Sequence, residues 1–475
     1  MSKIEKFDLA ILGAGSGGLV IAAVAAQLGY KVALFEGGKM GGDCLNYGCV
    51  PSKALLAAAK AAQTSQQTVK FGISTKVHVD FPKVMQHVQD VIAQIAPHDS
   101  IERFESYGVT VIQEYGYFID KKTIGTPTGR QVAARRIIIA TGSKPALPTI
   151  SGLEKISYLT NETIFDLKQR PKHLAIIGGG PIGIEMAQAF SRLGSKITVF
   201  QSNAKILPHD DSELTEVLHQ SLQEEGITIC TECKINQVSQ AGGNITLDTN
   251  SGSFKASHLL VATGRQPNVE NLCLEKAGVD YDAHKGVYTN SQQRTSNPNI
   301  FAVGDVTGLY RFTHMAADQA TIFIKRVLFG NFLTKRKHHN IPWVTYTDPE
   351  LAHIGLTLEQ AKQRYGDKVT VTTVKAEDVD RNRTERATTG LLKIITDYKG
   401  RILGVNALSA HAGELLPVWG LMIHKRMKLS ELSNVIHAYP TFSEINRKAV
   451  SAYYSKALYA PKTQKISRWL FRLFG

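Results

Sequence analysis

The chain is poor in cysteine: five occur in 475 residues and none follows Cys273. That excludes a secreted disulfide scaffold, in which cross-links supply the stability a small core cannot. Long apolar runs are also missing. The most apolar early stretch, Leu19 to Leu28, is too short to cross a bilayer and suits a buried helix. The first residues, Met1-Ser2-Lys3-Ile4-Glu5-Lys6, carry charge and no signal-type apolar core, so a cytoplasmic protein is expected. Acidic residues are in deficit, 41 against 55 basic, a net charge of +14. This balance favours solubility and phosphate-rich ligands. No nucleic-acid-binding module accompanies it, so neither nucleic acid nor a resident metal is expected. Apolar residues make up 43% and charged residues 20%, which argues against bulk disorder. The length suggests three or four domains.

What the chain has is glycine in repeated patterns. Phe7 to Leu12 reads as a buried parallel strand, followed by Gly13-Ala14-Gly15-Ser16-Gly17-Gly18, an Ala-rich helix, and a strand from Lys31 to Phe35 ending at Glu36. This is G-x-G-x-x-G on a strand–turn–helix–strand unit. Gly13 permits the tight turn, Gly15 lets backbone approach a pyrophosphate, and Gly18 lets helix pack on strand. Glu36, 18 residues beyond Gly18, stands where a carboxylate accepts from ribose hydroxyls. The unit recurs at an offset of 165, with Gly178, Gly180 and Gly183 as its glycines and Gln201 in place of Glu36. A second echo pairs Ala140-Thr141-Gly142 with Ala262-Thr263-Gly264. Two ordered motifs, each present twice, imply two dinucleotide-binding domains with one ligand each.

Between Gly41 and Lys53 lies Gly-Gly-Asp-Cys-Leu-Asn-Tyr-Gly-Cys-Val-Pro-Ser-Lys, and a helix-forming run follows. Pro51 suits a first turn and Ser52 a cap, which puts Cys49 near a helix N-terminus. The partial positive charge there stabilises a thiolate. Cys44 and Cys49 are then suited to switching between disulfide and dithiol, although C-x4-C also fits ordinary loop cysteines.

These residues resemble the pyridine nucleotide–disulfide oxidoreductases, whose block reads GG-x-C-x4-C-[IV]-P-[SK]-K. The stretch from Thr295 to Gly304 and Asp305 is similar to the second flavin fingerprint of that family, T-x5-[FY]-A-x-G-D. The resemblance implies an α/β fold: two Rossmann-like dinucleotide-binding domains, for FAD and NAD(P), plus a C-terminal α+β dimerisation domain. The expected divisions are 1–150 and 271–335 for the FAD domain, 151–270 for the NAD(P) domain, 336–455 for the interface domain and 456–475 for a basic aromatic tail. It implies an FAD-dependent enzyme using NADH or NADPH, dihydrolipoyl dehydrogenase-like or mercuric reductase-like, acting as a homodimer on a small disulfide, dithiol or metal ion. On the same resemblance Cys49 faces the flavin and Cys44 exchanges with substrate. Asp305 accepts from the ribityl chain, and the helix opening at His314 to Ala316 faces the flavin. Lys53 and Glu185 would pair beside flavin and nicotinamide. A different reading is a membrane-associated redox-sensing or binding flavoprotein with little turnover.

The resemblance frays near the C-terminus. Relatives that reduce disulfides carry His-Pro-Thr-x-x-Glu; here the chain reads His437-Ala438-Tyr439-Pro440-Thr441-Phe442-Ser443-Glu444. Tyr439 falls where the His belongs, and His437 is a displaced alternative base. Thr441 and Glu444 also have capping-box spacing. Mercuric reductase carries an extra C-terminal cysteine pair that this chain lacks. Cys230 and Cys233 are expected on one strand, Ile227 to Ile235, facing opposite ways. The tail from Lys462 mixes basic and aromatic residues, which fits an anionic membrane surface at the inner face, a dimer cap or a frayed end.

Overall fold

The structure, a computed structural model, describes residues 4–335 and 341–474. The expected junction at residue 336 falls among residues 336–340, which lie outside the described residues, as do residues 1–3 and 475. The chain divides into two units. One comprises residues up to 200 and 233–337, the other residues 201–232 and 338 onward.

In the first unit, strand register brings the glycine motifs together. The strand Glu5–Leu12 lies parallel between Val32–Phe35 and Gln131–Ile139, and Val109–Ile112 extends the sheet beyond Val32–Phe35. Gln131–Ile139 has different neighbours on its two halves: Thr123–Gly125 pairs antiparallel with its beginning and Ile300–Ala302 parallel with its end. Leu12 is level with both Phe35 and Ile139, and Ile139 is level with Ala302. Gly13, Glu36, Ala140-Thr141-Gly142 and Gly304-Asp305 therefore all leave the sheet at its carboxyl edge, where open α/β sheets bind ligands. Leu9 and Ile11 enter one apolar core while Ala10 and Leu12 enter another. Apolar side chains on both faces explain the unbroken hydrophobic run of this strand. Each fully buried Leu or Ile contributes about 2 kcal/mol by leaving water. Residues 113–116 separate the strand Val109–Ile112 from a second short strand, Tyr117–Phe118.

The second glycine unit repeats this construction. His173–Ile177 pairs parallel with Lys196–Phe200 and with His258–Val261. The helix Pro181–Arg192 follows its glycines as Ser16–Gln27 follows the first set. A three-stranded antiparallel meander, Ile235–Ala241, Asn244–Thr249 and Gly252–Ala256, lies between. Ser143–Pro145 and Arg265–Pro267 pair antiparallel.

The second unit is built on a five-stranded antiparallel sheet in the order Pro342–Thr345, Glu350–Gly355, Ile402–Ser409, Leu391–Asp397, Val369–Lys375. The helices Ala412–His424 and Glu444–Leu458 close its core, where Trp419 is fully buried and donates to Asn446. Residues 201–232 group with this unit because the helix Ser212–Glu224 packs on two of its strands and Asp211 accepts from Lys393 at 2.7 Å. The strand expected from Ile227 to Ile235 is interrupted: Thr228–Cys230 ends before Glu232, whose φ of 51° turns the chain, and the next strand begins at Ile235. The opposite-facing argument for Cys230 and Cys233 therefore fails; Cys233 is buried and the two are not joined in a disulfide.

Candidate active site

Gly42 must be glycine twice over. Its φ is +61°, and a Cβ there would meet Gly15 Cα at 2.8 Å. The cysteine segment is thereby pressed against the first glycine turn. Cys44 sits in the short helix Gly42–Asn46, and Cys49 is the first residue of the long helix Cys49–Gln67. This moves the helix start from the expected place: Gly48 is the cap residue, Pro51 lies third, and Ser52 donates back to Cys49 O rather than capping. Cys49 is closer to the dipole as a result.

The two sulfurs differ in acidity. Cys49 is lowered to about 6, chiefly because the Cys44 thiol donates to it, with further help from the Thr313 hydroxyl and the Lys53 ammonium, against desolvation and the Asp43 charge. Cys44 is pushed well up, because its proton is held by Cys49 and because it is partly buried. Thr313 Oγ1 lies 3.4 Å from Cys49 Sγ and opens the helix Thr313–Phe323. The sequence reading began that helix at His314 and missed Thr313, since a hydroxyl at a helix start reads as a cap. His314 stacks on Phe312, and Ala316 is buried, within 3.6 Å of a Cβ built on Gly17 or on Gly304.

Lys53 lies one turn below Cys49 on the same face and donates to Glu185 Oε2 at 2.8 Å. The Glu185 side chain is only 6% exposed. A second network ties the cysteine segment to Asp305. Arg265 reaches Asp43 at 2.9 Å, donates through Nε to Ser143 Oγ at 2.7 Å, and lies 3.8 Å from Asp305 Oδ2. Ser143 donates in turn to Asp305 at 2.6 Å. Burial raises the Asp305 carboxyl, against the Ser143 hydrogen bond and the Arg265 charge. Asn161 donates to Asp43 at 3.1 Å. Asp43 is the unspecified position of the cysteine block and Arg265 simply follows the second Ala-Thr-Gly; long-range pairing assigns them their places.

The glycine cradles fit dinucleotides. A Cβ on Gly13 would strike Ala140 O at 2.3 Å, one on Gly178 would strike Ala262 O at 2.4 Å, and Gly18 and Gly183 each face a carbonyl at 2.0 Å. Packing explains those four. Gly15 and Gly180 differ: φ is −89° and −80°, which any residue adopts, and a Cβ would meet nothing nearer than 4.0 Å at Gly15 and nothing within 4 Å at Gly180. No atom of the described residues demands glycine there, but a phosphate approaching the helix N-terminus does. Glu36 is fixed by Ala14 N and Gly38 N, each at 2.8 Å, which leaves each carboxylate oxygen capacity for a ribose hydroxyl. Thr141 is an internal clip, donating to Asn268 O at 2.7 Å. Gly142 and Gly264 both have positive φ and open space at Cβ.

The remaining candidates lie in the second unit. Gln201 is buried and donates to Lys205 O at 3.2 Å, while the Lys205 ammonium donates to Asp210 O and Ser212 Oγ. Tyr439 is 69% exposed and donates to Asp380 at 3.0 Å, which raises its phenol. His437 is exposed, with Nδ1 3.1 Å from Val435 O. Glu444 is 2% exposed; Oε1 accepts from Arg447 at 2.7 Å, and Oε2 has no hydrogen-bond partner among the described residues. The capping box does not form, because the helix begins at Glu444 itself and Thr441 donates instead to Ala438 O.

Paired thiols at a helix N-terminus, on a sheet edge built for a dinucleotide, define a redox enzyme of the disulfide type. Residues 7–320 match the family described as pyridine nucleotide-disulphide oxidoreductase, and residues 341–450 match its dimerisation domain. The chain belongs to that family and is a flavoprotein disulfide reductase-type oxidoreductase. The mercuric reductase of Streptomyces lividans is 35% identical over 463 residues, spanning 94% of this chain and 96% of that protein. The dihydrolipoyl dehydrogenase of Chlamydia muridarum is 32% identical over 469 residues, spanning 97% and 100%. The Cu(II) complex of the HOCl-induced flavoprotein disulfide reductase RclA from Escherichia coli is similar with a TM-score of 0.86 at 26% identity, covering 94% of this chain and 99% of that one. Among the described residues no helix is long and apolar enough to cross a membrane.

Proposed function

We propose that the protein is an FAD-dependent NAD(P)H:disulfide oxidoreductase, working as a homodimer and cycling a Cys44–Cys49 disulfide. The observation that supports this most is the division of labour between the thiols: Cys49 is lowered to about 6 and Cys44 is raised. FAD, when bound, supplies the acceptor for hydride from the nicotinamide and the donor of an electron pair to the disulfide. Gly13, Gly15, Gly18, Glu36, Gly142, Gly304, Asp305 and Ala316 would hold it. Gly178, Gly180, Gly183, Glu185 and Gly264 would serve the nicotinamide nucleotide, with Gln201 assigned from its sequence offset alone.

The residues of the chain then act in order. Two electrons break the S–S bond, and one proton goes to Cys44, leaving Cys49 as thiolate. The Cys44 thiol, Thr313 hydroxyl and Lys53 ammonium hold that anion. Attack of Cys44 on a substrate disulfide requires removal of its proton by a base. Tyr439, raised by Asp380, stays protonated near neutral pH and serves as a donor instead. His437 and Glu444 are left for proton removal.

The displacement of His437 by two residues from the place where relatives carry the base favours a second reading, reduction of a thiophilic metal ion as substrate, with both sulfurs as its ligands. The names of the mercuric reductase relatives and the Cu(II) complex of RclA point the same way. Anaerobic titration with NADH and NADPH, followed by turnover with lipoamide, glutathione disulfide, Hg(II) and Cu(II), separates the readings. A long-wavelength thiolate–flavin absorption and turnover are expected. Absorption without turnover of any of these substrates indicates a redox sensor instead. Absence of the absorption removes the proposed cycle.

A further inference from the structure

The last helix, Pro461–Phe474, has no buried residue. It begins beyond residue 450, where the dimerisation-domain match ends. Ile466, Trp469, Leu470 and Leu473 recur at i, i+3, i+4 and i+7 and share one face. They remain 48%, 60%, 41% and 55% exposed. Lys465, Arg468 and Arg472 form a neighbouring row, and Lys462 stands at the entry. No acidic residue occurs from Pro461 to Phe474. At 14 residues the helix is about 21 Å long, too short to cross a bilayer.

We propose that this helix docks the enzyme on an anionic lipid surface, lying in the plane of the headgroups with Trp469, Leu470 and Leu473 inserted. Charge selects this occupant. A basic row beside an apolar face matches acidic headgroups and aliphatic chains together. A second copy of the same helix would also cover the apolar face. It would, however, set basic row against basic row with no acidic partner from either helix, unlike the opposite charges that flank stable helix pairs. Lipid binding by this helix is independent of the substrate and of the cysteine cycle.

The test is co-sedimentation of the full-length flavoprotein with vesicles of phosphatidylcholine alone or mixed with phosphatidylglycerol. Binding is expected only to the anionic vesicles, with release by added salt. Each basic residue near such a surface is worth about fivefold in partition, so neutralising Lys465, Arg468 and Arg472 to Ser lowers binding about a hundredfold. Trp469→Ser with Leu473→Ser lowers it at least about tenfold. A readout on the unaltered protein accompanies these: tryptic cleavage after Lys465 and Arg468 slows with anionic vesicles and not with neutral ones. Vesicle binding unchanged in both variants, or no protection from trypsin, overturns the proposal. So does dissociation of the dimer in the variants with vesicle binding intact, which would assign the helix to a second copy.

Discussion

The Thr313 hydroxyl stands 3.4 Å from the Cys49 sulfur across 264 residues of sequence. Two helix starts are thus set face to face, one carrying the thiolate and the other a donor to it. Cys49 belongs to the cysteine block, whereas Thr313 is marked by no motif of its own, and the contact exists because the two helices begin beside each other.

Cys49 is therefore expected to be alkylated by iodoacetamide in the reduced protein with a midpoint near pH 6. The sign follows from a lowered acid: thiolate is present above the midpoint and lost below it. Cys44, raised by the hydrogen bond to Cys49 and by burial, reacts only after Cys49 is blocked or at strongly alkaline pH. Thr313→Val should move the Cys49 midpoint up by about one pH unit, since a hydrogen bond to a charged group is worth about 1.5 kcal/mol. Peptide mapping of the alkylated sites across pH checks this; equal reactivity of the two cysteines would contradict it.

Lys53→Met is expected to destabilise the FAD-bound protein by about 3 kcal/mol, because the buried Glu185 carboxylate loses its cation. Glu185→Gln should cost less, since the lysine is 37% exposed and can be solvated. Replacing both residues with apolar ones of similar volume should recover most of the loss. Urea unfolding at fixed FAD concentration measures all three. Lys53→Met should also raise the Cys49 alkylation midpoint, as the ammonium helps hold that thiolate.

The fold was largely legible because its signals are local and repeated. Gly13 and Gly178, Gly18 and Gly183, and the two Ala-Thr-Gly segments occupy equivalent positions at the edges of two sheets. With Ser52 as its cap the cysteine helix starts four residues late, because Pro51 and Ser52 form a persuasive first turn although Gly48 is the actual cap residue. Arg265, Ser143 and Thr313 escaped notice for a different reason. Their roles rest on side chains meeting across more than 100 residues, and no periodicity or spacing encodes such a meeting. The Thr441–Glu444 spacing misled because Phe442 and Ser443 form a turn and the helix starts only at Glu444 itself.

The segment around Tyr439 should support weak dithiol chemistry. Lipoamide turnover is expected to be low, to fall further in Glu444→Gln, and to respond to His437→Ala more than to Tyr439→Phe, because the tyrosine is held protonated by Asp380. Asp380→Asn removes the nearby charge and should lower the phenol pKa, visible as an ultraviolet titration moved to lower pH. Vigorous lipoamide turnover indifferent to His437→Ala and Tyr439→Phe would show that neither residue takes part in proton transfer.

Nucleotide choice turns on residue 201. The repeat offset of 165 carries Glu36 of the first glycine unit onto Gln201 of the second, 18 residues beyond Gly183. A carboxylate at that position accepts from the 2′-hydroxyl of NAD and repels the 2′-phosphate of NADP. Gln201 removes the repulsion and keeps hydrogen-bonding capacity; one of its amide protons already goes to Lys205 O. The Lys205 ammonium, committed to Asp210 O and Ser212 Oγ, adds less attraction for a phosphate than its position in the sequence suggests. NADPH-using relatives often have Ala at the third glycine, so on the resemblance Gly183 leans the other way, toward NADH. Charge outweighs a missing methyl group, because repulsion between carboxylate and phosphate in a partly buried site is the larger effect. NADPH is therefore expected to be used at least as well as NADH, and Gln201→Glu to shift preference toward NADH by about tenfold or more. The comparison is kcat/KM for both nucleotides in the parent and the variant. A parent strongly selective for NADH would assign the choice to the glycine turn instead of residue 201.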